Sequence, residues 1–247
     1  PHQAGDAIEG GAMKALIFAG GLGERMRPLT NHTPKPLLHV GGKALIVWHL
    51  EKLAAIGVRQ VVINTSWLAD RFPQALGNGE RWGLAIDYIY EGETPLETGG
   101  GMLNALPRLG DAPFLLVNGD IWSDYDFARL PREPEGMAHL VMVDPPGYAT
   151  HGDFALDDAG HVRRDGVHRL TYAGIGVYRP ALLAEWQAHA DADAGRAPNG
   201  KPRFRLAPVL RAFMERDAIA GEHHRGRWTD VGTPERLAQL DRELLAR

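Results

Sequence analysis

Three stretches of the sequence gather residues able to handle anions. The first runs Ala19-Gly20-Gly21-Leu22-Gly23-Glu24-Arg25-Met26-Arg27-Pro28-Leu29-Thr30, with Thr33-Pro34-Lys35-Pro36 close behind. Glycines let consecutive backbone N–H groups approach and cradle phosphate oxygens. Arg25 adds a planar fork that matches phosphate geometry, and Lys35 adds a point charge. Prolines on both sides of Lys35 hold its ammonium at a set position. In the second stretch, Phe114 to Asp120 (FLLVNGD), an acid follows an apolar run; the third, Trp228-Thr229-Asp230-Val231-Gly232-Thr233, presents another carboxylate from far along the chain. Two carboxylates from distant segments suit Mg²⁺, a hard cation that keeps several waters and takes substrate phosphate oxygens.

Each stretch also has a plainer reading. The glycines could form an ordinary strand-to-helix turn with two solvated cations nearby. Asp120 could cap a helix starting near Ser123, and Asp230 could sit in a turn beside Gly232. Two familiar phosphate motifs do not fit. In G-x-G-x-x-G the third glycine would fall on Met26, and the next strand lacks a terminal acid for a cofactor ribose, which counts against a nicotinamide dehydrogenase. No G-x-x-x-x-G-K-[ST] occurs, and neither Ser66 nor Ser123 lies in a G-x-S-x-G elbow.

The elements that must position these residues alternate. Lys14 to Ala19 reads as a buried strand entering the glycine loop, Lys43 to Ile56 has helical apolar spacing closed by Gly57, and Val58 to Asn64 is the next strand. A short helix over 67–76, a strand over 84–90, a helix over 98–106 and strands over 113–117 and 138–143 follow. The order β-α-β-α-β-α-β predicts an α/β fold: a Rossmann-like, mostly parallel (mixed) sheet with helices on both faces. From about Pro145 the pattern changes to a hairpin (154–164), a long strand (169–178), a helical stretch (180–190) and two closing helices (206–215 and 234–245). The Ala, Gly, Asp and Pro of 191–202 read as a mobile surface loop. This gives one domain with two halves, 13–144 and 145–247, the second a small β/α subregion.

Taken together, G-G-x-G-x-R-x-x-P-L-T and the following P-K-P resemble the signature of the sugar-1-phosphate nucleotidylyltransferases, and later segments match in order from Met13 onward. The resemblance implies transfer of a nucleotide from a nucleoside triphosphate to a sugar 1-phosphate. The glycine loop would wrap the triphosphate through Ala19, Gly20, Gly21, Gly23 and Glu24, with Arg25 and Lys35 binding and polarising it. Asp120 and Asp230 would hold Mg²⁺. Asn118, Gly152, Asp153 and Gly174 would grip the sugar, in a nucleotide-binding half followed by a sugar-binding half. The glycine-rich segment 91–101 reads equally as a connector or as a loop around the base, with Glu91 and Gly100 singled out. Many relatives place Glu-Lys-Pro ahead of the A-G-I strand, with the lysine on the sugar phosphate. This chain has Arg163-Arg164-Asp165-Gly166 there, which leaves Arg169, Lys201 and Arg205 as candidates for that cation. A catalytically silent regulatory subunit on the same fold would be expected to lose Lys35, Asp120 or Asp230, and all three are present.

Composition agrees with a globular enzyme and narrows the partners. A net charge of −4 gives no reason to expect nucleic acid, and no apolar run is long enough for a transmembrane helix. The absence of cysteine removes disulfide and thiolate chemistry and fits a cytoplasmic setting. The eleven histidines form no spaced metal set, and His223-His224 reads as an exposed strand or turn. Residues 1–12 read as a leftover tail with Met13 as the natural start, and the expected assembly is a monomer or small homo-oligomer.

Overall fold

The computed structural model describes residues 11–247, so most of the tail read over 1–12 lies outside the described residues. Nine strands form one mixed sheet: β1 (Ala15–Ala19), β2 (Gln60–Thr65), β3 (Ala85–Tyr90), β4 (Phe114–Asn118), β5 (Ala138–Val143), β6 (Phe154–Leu156), β7 (Val162–Arg163), β8 (Arg169–Tyr178) and β9 (Ile219–His223). β1 lies parallel between β2 and β4, and β3 continues the parallel side beyond β2. β8 then runs antiparallel between β4 and β5, and β9 pairs parallel with β5. Strands from both halves of the chain thus share one sheet.

The apolar run of β1 shows why the sheet needs cover on both faces. Ala15, Ile17 and Ala19 pack with helices α1 (Leu45–Ala55) and α2 (Arg71–Leu76), whereas Leu16 packs with α3 (Glu97–Leu109) and α4 (Ala207–Met214). Alternate residues of a strand point to opposite faces, so a strand buried twice reads as continuous hydrophobicity. The last helix, α5 (Pro234–Leu245), starts on Thr233, whose Oγ1 accepts the Arg236 N–H at 3.2 Å. Its Leu237 and Leu240 join Met26, Val40 and Val231 in a third apolar cluster, tying the C-terminus to the glycine loop.

Several elements differ from the sequence reading: the helical stretch expected over 180–190 is a 3₁₀ turn at Pro180–Leu183 and a short helix at Trp186–His189, and the helix expected over 67–76 begins at Arg71. Helix α3 passes through Pro107 and ends only at Leu109, which is buried against the sheet, with Gly110 (φ 80°) closing it. The segment expected as a mobile loop is an ordered ribbon, with Gly195–Arg196 paired antiparallel to Pro202–Arg203. It is pinned by Phe204, stacked 4.1 Å from Trp186, and by Asn199, whose Nδ2 donates to the Glu91 carbonyl at 2.7 Å. Single polar anchors of this kind leave no periodic trace in a sequence. No helix of the described residues is long and apolar enough to cross a membrane.

His49 on α1 is buried, and its Nε2 has no protein partner among the described residues. Burial, reinforced by the nearby Lys52 charge, pushes its pKa down to about 3; a backbone hydrogen bond to Ile121 only partly offsets this. The folded state therefore binds this proton less readily than the unfolded chain. Stability is full above the ordinary histidine pKa near 6.5 and falls as pH drops from there towards 3. His49→Leu is expected to flatten this acid limb by several kcal/mol. Urea unfolding at pH 7 and pH 4.5 measures it, and an unchanged pH difference would refute the assignment.

Candidate active site

The sheet's parallel side opens at the carboxyl ends of β1 and β4 into a cleft of about 730 Å³. Ala19 closes β1, and its N–H donates to Asn64 Oδ1 at 2.8 Å. Asn64 Nδ2 in turn donates to Glu91 Oε1 at 2.5 Å, and the Leu96 N–H donates to Glu91 Oε2 at 3.2 Å. Glu91 is therefore a buried brace that also forms part of the cleft lining. Burial pushes its carboxyl pKa up against these hydrogen bonds. A Cβ at Gly20 would stand 2.7 Å from Glu91 Oε2, and one at Gly101 would stand 2.6 Å from Oε1. Neither position can carry a side chain without displacing the brace.

Beyond Gly20 the loop turns at Gly23 (φ 65°), which starts a 3₁₀ turn over Glu24–Met26. The Thr30 hydroxyl donates to the Gly23 carbonyl at 2.6 Å, and buried Met26 pins the turn from below. Gly20, Gly21, Gly23, Glu24 and Arg25 all line the cleft, and Arg25 makes no ion pair with any other described residue. Opposite them, the prolines hold Lys35 in a second 3₁₀ turn, Lys35–Leu37. Lys35 is 8% exposed, and its Nζ donates to Asp120 Oδ2 at 3.1 Å and to the Asp230 carbonyl at 3.2 Å.

Asp120 reaches this point because Gly119 crosses tightly over β1, its N–H donating to the Phe18 carbonyl at 2.8 Å. The short strand Trp228–Thr229 delivers Asp230 by pairing with Trp122–Ser123, two residues past Asp120. No helix begins near Ser123 for Asp120 to cap. Val231, a β-branched residue at φ 44°, is fully buried beside Asp230, so apolar packing enforces an unfavourable backbone angle there. The Asp230 carboxylate is set slightly back from the cleft. Its Oδ1 accepts from Arg236 Nη1 and from the Gly232 N–H at 3.1 Å. Partial burial works against its ionisation, but hydrogen bonds from Tyr148 and Arg236 prevail and hold its pKa below the usual carboxylate range.

The remaining expected residues divide. Asn118 lines the cleft, and Gly174 (φ 76°), where β8 shifts register, packs directly on the Asn118 amide. Gly152 and Asp153 brace β8 from outside the cleft lining: Asp153 Oδ2 accepts the Tyr172 N–H at 2.9 Å. Gly100 lies under the ribbon, where a Cβ would be 2.5 Å from the Pro202 carbonyl, so it supports the cleft wall without lining it. The three cations left open for a second phosphate are engaged elsewhere. Arg169 Nε and Nη2 donate to the Gly152 and Asp153 carbonyls at 3.1 and 2.9 Å, Lys201 Nζ to the Tyr90 carbonyl at 3.1 Å, and Arg205 pairs with Asp191. His223 and His224 pair with Asp144 and Asp124 at 2.9 and 2.8 Å, and both side chains are largely buried, against the expectation of exposure.

Sequence reading missed Glu97 and Arg203, which line the cleft and pair at 2.8 Å between the start of α3 and the ribbon. Glu97 sits at φ 63°, a left-handed angle that nothing in its residue type signals. The assembled cleft gathers the glycine loop, Arg25, Lys35 and the Asp120 carboxylate, with the Asp230 carbonyl on Lys35 and the Asp230 carboxylate on Arg236. Among the described residues no three His, Asp or Glu converge as a metal cluster, so an ion held here would complete its shell with phosphate oxygens and water.

This fold and site are those of a nucleotidyltransferase, and the chain belongs to the nucleotidyl transferase family, whose sequence profile matches residues 14–152. The chain is 43% identical over 234 residues to an N-acetylmuramate alpha-1-phosphate uridylyltransferase of Neisseria meningitidis serogroup B, covering 92% of this chain and 96% of that protein. A protein of the same name from Caulobacter vibrioides is 34% identical over 236 residues, covering 90% and 92%. The fold matches a crystal structure of a Bacillus anthracis protein assigned as a glucose-1-phosphate thymidylyltransferase, with TM-score 0.80, 19% identity and 96% of both chains covered.

Proposed function

We propose that the chain transfers uridylyl from UTP to N-acetylmuramate 1-phosphate, a step that returns a cell-wall sugar to its nucleotide-activated form in the cytoplasm, where the triphosphate is available. The observation that carries the reaction class is Lys35, which joins Asp120 to Asp230 across from the glycine loop. The substrate choice rests on the length and identity of the match to the Neisseria and Caulobacter enzymes.

In this reaction an oxygen of the sugar phosphate attacks the α-phosphorus of UTP. The bond from that phosphorus to the bridging oxygen of the β-phosphate breaks, and pyrophosphate leaves. The attacking oxygen is already an anion, so no general base is required. The barrier lies in bringing negative groups together and stabilising charge that builds on the phosphate oxygens. The glycine-loop amides align the triphosphate, and Arg25 supplies a fork from the exposed side. Buried Lys35 adds a charge whose position is fixed before substrate arrives, the condition under which electrostatic stabilisation is most effective. The oxygens of Asp120 and Asp230 form a hard donor set without sulfur or imidazole and fit Mg²⁺. When bound, the ion would supply positive charge to the phosphate oxygens.

A panel of UTP, dTTP and GTP against N-acetylmuramate, N-acetylglucosamine, glucose and mannose 1-phosphates, read as pyrophosphate release with Mg²⁺, tests the reading. The highest kcat/KM is expected for UTP with N-acetylmuramate 1-phosphate. Faster turnover of GTP with mannose 1-phosphate, or of dTTP with glucose 1-phosphate, would replace it.

A further inference from the structure

A sugar 1-phosphate adds negative charge to a site that already holds a triphosphate, so a cation must stand on the acceptor side. Arg169, Lys201 and Arg205 are all engaged away from the cleft. We propose that Arg236, with Tyr148 stacked upon it, is the acceptor-side receptor and takes the 1-phosphate of the sugar. The inference rests on the nucleotidyl-transfer reading above and assigns one of its subsites.

Four observations converge on Arg236. Its guanidinium lies against Gly232, where a Cβ would stand 2.9 Å from Nη1, and Gly232 is part of the cleft wall. Arg236 is not itself in the cleft lining; it stands directly behind Gly232, which is. Nη1 is on Asp230, Nε is 3.3 Å from Thr233 Oγ1, and the guanidinium also hydrogen-bonds to the Tyr148 hydroxyl. A guanidinium carries five donors, so capacity for an anion is left over. Asp230 offers its carboxylate to Arg236 and its carbonyl to Lys35. Asp230 therefore links Arg236 to Lys35, so a phosphate on Arg236 would stand on the Asp230 side of that lysine.

Tyr148 supplies the fourth observation. The Arg236 guanidinium lies 3.9 Å from its ring centroid, and the residue is 54% exposed. Its hydroxyl also hydrogen-bonds to the Asp230 carboxylate. It lies on the loop between β5 and β6, just ahead of Gly152 and Asp153. An exposed aromatic face beside a cation is a surface on which the apolar face of a pyranose can pack.

The competing explanation is that Arg236 only clamps Asp230, and kinetics separate the two. Arg236→Ala, Arg236→Lys and Tyr148→Ala are measured on whichever nucleotide and sugar pair the wild-type enzyme turns over best. A wrong substrate reading thus shows in the wild type and a wrong subsite shows in the variants. Arg236→Ala is expected to raise KM for the sugar 1-phosphate ~10- to 100-fold, the scale of a lost charge-assisted hydrogen bond. KM for the triphosphate should stay unchanged, whereas the Mg²⁺ requirement shifts with either role, because Arg236 also holds the Asp230 carboxylate. Arg236→Lys should restore part of the loss, and Tyr148→Ala, a change on the surface that leaves folding intact, should raise the same KM by less. A clamp alone would move the Mg²⁺ requirement and leave the sugar KM in place, which overturns the proposal. N-acetylmuramate also carries a carboxylate. Equal loss with N-acetylglucosamine 1-phosphate, as substrate or competitive inhibitor, supports phosphate as the bound group, and loss confined to the muramate compound overturns it.

Discussion

Replacing Lys35 with alanine is expected to lower kcat by about 10²- to 10³-fold, the scale of losing one preorganised electrostatic partner. The size follows from where the ammonium stands. At 8% exposure and within 3.2 Å of both Asp120 Oδ2 and the Asp230 carbonyl, it is fixed before substrate binds and screened from water. Its turn is set by Pro34 and Pro36 and by the backbone bonds of Leu37 and Leu38 to residues 34 and 35, so alanine should keep the local fold. Lys35→Arg should recover little. A planar fork cannot satisfy the same two oxygens in the space of a compact point charge. Pyrophosphate release at saturating substrates, with a thermal melt as control for folding, measures the effect. Near-normal turnover in Lys35→Ala would remove Lys35 from the mechanism.

Asp120→Asn is expected to cost on the order of 10²-fold in kcat and to raise the Mg²⁺ concentration needed for half-maximal rate. Asparagine keeps the size and can still offer an oxygen to Lys35, so the change isolates the charge. Asp120 Oδ2 is on Lys35, whereas Oδ1 has no protein partner among the described residues and the side chain is 47% exposed at the cleft. That open oxygen is where a hard cation would bind. An unchanged Mg²⁺ titration would exclude Asp120 as a ligand. The double variant Lys35→Ala/Asp120→Asn should lose far less than the product of the single losses. The two groups contact each other, and residues in contact are strongly non-additive.

The sequence by itself determined the elements and the local chemistry. Strand β8 over 169–178 and helix α5 over 234–245 fall where the residue pattern puts them, because burial period and Thr-Pro capping are local properties. The glycine loop with Arg25 was legible for the same reason: glycine, arginine and proline act within a few residues of themselves. Tertiary structure decided which distant groups meet. Lys35 finds Asp120 and Asp230 across separations of 85 and 195 residues, and no spacing rule encodes contacts of that length. It also decided what a cleft residue does besides lining the cleft: Glu91, part of that lining, braces Asn64 and the Leu96 N–H against the bare glycines at 20 and 101. Arg203 came to the cleft through a two-residue ribbon and Arg236 to Asp230 through a helix start, backbone paths whose direction depends on packing against the rest of the chain. A residue's type fixes what it can bind, but only the fold decides whether a partner is within reach.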